Sequence, residues 1–199
     1  MNETTKSNPS FDEEVAMTRK QVAKYDSKFL LIWGWTAAAV GVIVYWANVL
    51  TYYNEARAFS FYPNPSAQWG FLWIAVPIIA GIIQWGCRVG DNPNPTPLYK
   101  MLSSVSRVTI GMVFLCAVLT AVFHYNHFFV ISLILAIWCC ISGFMLDSKR
   151  IQRLGYGGLA IAIAMFGVPS TLHIPLFVVC IMLSLVVPGY VLRKENQKV

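Results

Sequence analysis

Charge is scarce in this chain of 199 residues: Asp, Glu, Lys and Arg make up 12% of it, against about a quarter in a water-soluble domain. That shortage excludes a soluble globular fold. Five cysteines (Cys87, Cys116, Cys139, Cys140 and Cys180) are present. No two stand in a CxxC pair, so neither a disulfide framework nor a thiolate metal site is indicated. HExxH, GxSxG, paired acidic motifs and histidine boxes are also missing, which leaves no catalytic signature and implies no cofactor. Nor does an ionisable residue fall in the middle of an apolar run, where it would mark an ion or proton pathway.

What is abundant is apolar residues, 57% of the chain, gathered in long blocks. A bilayer core of ~30 Å takes roughly 20 such residues per helical crossing. Six blocks qualify: about Phe29–Leu50, Trp69–Trp85, Ser104–Phe123, Phe128–Leu146, Ile151–Val168 and Ile174–Leu192. None alternates polar and apolar residues, so barrel strands are excluded. The expected fold is all-α and polytopic: a cytoplasmic segment at 1–28, a six-helix membrane domain at 29–192 and a tail at 193–199.

The basic residues set the orientation. Fourteen of fifteen fall in the N-terminal segment, the second and fourth loops and the tail; only Arg57 lies on the other side. Both termini are therefore expected in the cytoplasm. The net charge of +6 then belongs to the anionic inner leaflet, without nucleic acid.

The N-terminal segment reads as a short amphipathic helix. Ser10 and Glu13 have the spacing of a capping box, and Phe11, Val15, Thr18, Val22, Tyr25 and Phe29 share one face. Such a helix either lies on the leaflet, binds a partner, continues into the first crossing, or packs on the cytoplasmic end of the bundle. Beyond it, Pro93, Pro95 and Pro97 at alternate positions suggest a stiff extended connector, and Pro77 is a place where the second crossing can kink.

"AVFHYNHFFV" holds the one candidate metal site. His124 and His127 are three residues apart, and the topology places His173 on the same outer face. Three imidazoles can hold zinc or copper or sense pH. They also suit a wet turn between two membrane helices, which is the favoured reading. Small residues four apart (Gly158 and Ala162, Ala160 and Ala164, Ala37 and Gly41) predict close helix packing, inside the bundle or against a second copy or another membrane subunit.

The "WGW" at Trp33–Trp35, "VPIIAGII" at Val76–Ile83 and "VPGYVLR" at Val187–Arg193 together resemble a group of small six-span bacterial inner-membrane proteins. The resemblance implies a fold and a location but no activity. The sequence thus points to a non-catalytic accessory or regulatory membrane subunit. An oligomeric small-solute transporter or channel is the alternative, and a membrane enzyme acting on lipid is a third possibility.

Overall fold

The computed structural model describes residues 10–55, 70–87, 92–123, 128–169 and 172–196. Of these, 91% are helical and none is in a strand. The helices are α1 (Phe11–Glu55), α2 (Ala75–Cys87, after a 3₁₀ turn at Gly70–Ile74), α3 (Pro97–Phe123), α4 (Phe128–Met145), α5 (Lys149–Ala164), α6 (His173–Ile181) and α7 (Val187–Asn196). A π-helical turn, Met182–Val186, joins α6 to α7 in one continuous rod. Pro188 has no N–H to offer the Ser184 carbonyl one turn back, and the widened turn lies at that point.

The capping box forms. Ser10 N–H donates to the Glu13 carboxylate at 3.1 Å, and Glu13 N–H donates to Ser10 Oγ at 3.4 Å. The helix that it opens is not a short separate one, however. It runs for 45 residues, ~68 Å at 1.5 Å per residue, so that its N-terminal third projects from the bundle. Thr18 and Val22, on the expected apolar face, are buried. Val15, Tyr25 and Phe29 on the same face are half-buried, while Phe11 at its start stays 72% exposed.

Among the described residues, four helices are long and apolar enough to cross a membrane: those in Phe11–Thr51, Pro97–Cys116, Phe128–Met145 and His173–Lys194. The second and fifth expected crossings are shorter. The apolar helix Leu72–Cys87 and α5, at 16 residues, each reach only ~24 Å. In the second, the 3₁₀ turn leaves Pro77 in the first turn of α2, where its missing N–H costs nothing. The fifth stops at Ala164, earlier than Val168, because the chain turns at Met165–Val168 ahead of Pro169.

α1 packs antiparallel to α6–α7, and α4 pairs with α5 as a tight hairpin. Two apolar clusters result. One gathers Val40, Val44, Ile131, Met165, Phe177 and Ile181; the other, at the end carrying the basic residues, gathers Val22, Leu30, Tyr99, Leu146, Ile151 and Leu192. Of the small-residue pairs, Gly158 and Ala162 face inward, as do Ala37 and Gly41, the latter against Val178. Ala160 and Ala164 are exposed. Several hydroxyls within the helices are satisfied locally: Ser27, Thr36 and Thr109 each donate to the carbonyl four residues back, as a poorly hydrated interior favours.

Candidate functional site

His124 and His127 lie outside the described residues. His173 is described, with Nε2 at 3.2 Å from the Val168 carbonyl. Among the described residues no group of three His, Cys, Asp or Glu side chains is placed to hold a metal.

The bundle instead contains a cleft. α3 packs on α4 but barely touches α2, and only 11% of its apolar window is buried, against 39–44% in the other three long helices. Behind it opens a chamber of about 430 Å³, within the ~300–1,000 Å³ usual for small-molecule sites. Ala37, Val76, Ile131 and Leu135 form its inner wall, while Pro77, Ile110, Gly111 and Phe114 border it on the α2–α3 side. Its far end is floored by Trp73, Phe128 and Phe177, with ring centroids 5.1–5.5 Å apart.

Toward the basic end a second chamber of about 360 Å³ continues the first. Phe29, Leu30, Trp33, Ser106, Arg107, Ile110 and Trp138 line both, so the two are one cleft. Its character changes along its length. The inner chamber is almost wholly apolar, whereas the outer one presents Asp26, Gln84, Tyr99, Ser103, Arg107 and Ser142.

These polar groups differ in how far their bonding is met. Trp33 Nε1 donates to Gln84 Oε1 at 3.2 Å and Trp138 Nε1 to Ser106 Oγ at 3.0 Å. The Tyr99 hydroxyl donates to the Asp26 carboxylate at 2.9 Å. Asp26 precedes the apolar run that begins at Phe29, and burial pushes its carboxyl up from 3.8 to about 6, the Tyr99 hydrogen bond opposing the rise. Burial, then the neighbouring Asp26 charge, pushes the Tyr99 phenol well above its ordinary range. Arg107 has one described partner, Ser104 Oγ, at 3.3 Å. Ser142 Oγ and Trp73 Nε1 are buried with no hydrogen-bond partner among the described residues, an arrangement native interiors rarely tolerate.

The projecting third of α1 covers this polar end. Glu14 accepts the Leu98 N–H at 3.0 Å, filling one of the unpaired donors at the start of α3. Gln21 donates to the Asn94 carbonyl at 2.8 Å and accepts the Thr96 N–H at 3.1 Å. The Thr18 and Thr96 hydroxyls meet at 2.7 Å. Arg19 donates to the carbonyls of Leu146 and Asp147 at a turn where Asp147 takes a left-handed φ of 46°. The proline-rich connector is thus held by α1 itself over residues 94–98.

Sequence reasoning found none of the cleft's polar groups as a set. Arg107 reads as a snorkelling cation, Ser142 as a helix hydroxyl, and Asp26 as one acid in a mixed segment. They stand on three helices at separations that form no motif. The one available signal is that Asp26 is the last acid before the first apolar run. Comparison with protein-family models, with curated proteins and with solved structures finds no match, so the likeness to small bacterial inner-membrane proteins rests on its three short motifs alone.

Proposed function

We propose that the chain is a six-pass protein of a bacterial inner membrane, with both ends in the cytoplasm, that binds an amphiphilic molecule in its cleft and carries out no chemistry on it. One observation carries the binding reading: the two chambers share walls, the inner one apolar and the one at the basic end polar, the profile of a molecule with a tail and a head. The orientation is supported by the described Lys and Arg residues, all of which stand at that same end. Six crossings ask the two 16-residue helices to be met by local thinning of the bilayer, at a modest cost.

The role that fits is an accessory or regulatory subunit that holds or senses a lipid-like molecule, alone or beside a second copy or another membrane protein. The aromatic floor favours binding over passage to the far side. Among the described residues, Asp26 and Cys139 are the only Asp, Glu, His or Cys side chains lining the cleft, and the Cys139 thiol is turned to the Ile151 carbonyl at 3.6 Å. A thiol that faces a backbone carbonyl has no base to activate it, which favours a non-catalytic role.

Mass spectrometry of protein extracted in mild detergent tests the reading. Wild type is expected to retain an amphiphile at about one per chain, and Gly111→Trp, which fills the mouth of the cleft, to lose it. Equal retention by both proteins, or retention by neither, would count against the cleft as a binding site.

A further inference from the structure

The occupant of the cleft can be narrowed by its walls. This step rests on the binding reading above and adds the chemistry of the ligand. The inner chamber, about 430 Å³, lies toward the lower end of the ~300–1,000 Å³ usual for small-molecule sites. That size favours one aliphatic chain over two. The chamber's outlet leads past Arg107, which lines both halves and is the only cation to do so among the described residues. Its guanidinium has no described carboxylate partner, only the neutral Ser104 hydroxyl, and so keeps donors for a planar or tetrahedral anion. Ser142 is 6% exposed, lines the same outer chamber and has a hydroxyl with no partner. A buried donor left unmade is costly, and a ligand oxygen in this chamber would satisfy it. The one acid lining the cleft among the described residues, Asp26, is engaged by the Tyr99 hydroxyl.

We infer that the cleft takes a single-chain amphiphile with an anionic head, its chain between α1, α3 and α4 and its head between Arg107 and Ser142. A fatty-acid carboxylate and the phosphate of a lysolipid share this chemistry. Access is lateral, through the gap between α2 and α3. At Gly111, on the rim of that gap, an added Cβ would meet nothing within 4 Å.

The full chain in nanodiscs of uncharged phosphatidylcholine, titrated with radiolabelled probes, tests this. Palmitate, lysophosphatidic acid, hexadecanol and two-chain phosphatidic acid separate charge from chain number. Palmitate or lysophosphatidic acid is expected to bind saturably, at least about tenfold tighter than the other two, and the tighter of this pair identifies the head. Arg107→Gln is expected to weaken the anionic probe by about tenfold or more, the effect of losing a charge-assisted bond, while leaving hexadecanol unchanged. Arg107→Lys should recover part of the loss, and Ser142→Ala should cost a few-fold. Hexadecanol binding as tightly as palmitate, or an Arg107→Gln protein with full palmitate affinity, overturns the anionic head. Phosphatidic acid binding as tightly as the lysolipid overturns the single chain. In these three cases a loss of all binding in Gly111→Trp still upholds the cleft. Absence of saturable binding by every probe overturns the cleft and the ligand together.

Discussion

A Cβ placed on Gly155, in the α4–α5 seam, would sit 2.5 Å from Cys140 Sγ and 2.7 Å from the Cys140 backbone nitrogen; one placed on Gly111, beside the cleft, would meet nothing within 4 Å. The same residue type thus serves opposite ends in one bundle. In lipid, helices gain nothing by hiding apolar surface from water, so they are held by close contact and small residues. The α4–α5 hairpin follows that rule over three turns: Gly143 seats Gln152, Gly155 seats Cys140 and Gly158 seats Ala136. α3 does not. Its outer face carries Val108, Met112 and Leu115, and its inner face borders a space instead of a neighbour. Part of the molecule is built to be rigid, and part is left able to admit something.

The heaviest blow to that contrast falls on the seam. Gly155→Val forces a branched side chain into the Cys140 backbone, where no flexible group can give way. A loss of ~3 kcal/mol or more is expected, at or beyond the upper range for overpacking, read as a large fall in the thermal midpoint in detergent. A midpoint within a degree or two of wild type would mean that the seam is not the tight half of the molecule.

Next in size comes the latch that joins the two halves. Arg19→Ala removes the charged donors on the Leu146 and Asp147 carbonyls. A cost of roughly 2 kcal/mol is expected, since hydrogen bonds to charged groups are worth ~1.5–3. Faster proteolysis between Leu146 and Ser148 should accompany it. Arg19→Lys should not restore the loss, because a point charge cannot span two carbonyls as a planar fork does. An unchanged cleavage rate would show that the projecting part of α1 does not hold the turn.

The two halves were unequally legible in the sequence. The helices of the tight half announce themselves: Phe128–Met145 is an unbroken apolar run, and the small-residue pair Gly158 and Ala162 marks the face that α5 turns inward. The capping box at Ser10 was equally readable, because local bonds depend on local spacing. The length of α1 was not, since nothing in residues 11–28 distinguishes a separate helix from an extension except the tertiary partners Thr96, Leu98 and Leu146. The short fifth helix was overextended because Met165–Val168 is as apolar as a helix; its turn is set by Gly167 and Pro169. The cleft was hidden altogether. A cavity is a failure of two helices to meet, and periodicity describes each helix alone.

A smaller effect sharpens the account of the polar chamber. Asp26 has its carboxyl raised from 3.8 to about 6, so between those values the folded protein binds more protons than the unfolded one, and stability falls as pH rises. The penalty is absent below 3.8 and complete above about 6. Asp26→Asn keeps an acceptor for the Tyr99 hydroxyl and removes the buried charge. At pH 7.5 it is expected to stabilise the protein by on the order of 2 kcal/mol, with no gain at pH 4. Thermal midpoints across that range check it; a gain independent of pH would show that desolvation of the carboxylate is not the cause.

The smallest expected change tests whether the open side owes its openness to space or to a pliable helix. Gly111→Ala adds a methyl group where nothing lies within 4 Å, and alanine is favoured over glycine in a helix by up to ~1 kcal/mol. A slight rise in thermal midpoint is expected, with binding to the cleft unchanged, because one methyl leaves most of a chamber of this size free. Gly111→Trp should bind nothing while folding equally well. If the alanine variant alone abolished binding, α3 would have to bend at Gly111 to admit its ligand, and the contrast between the halves would be one of motion and not of packing.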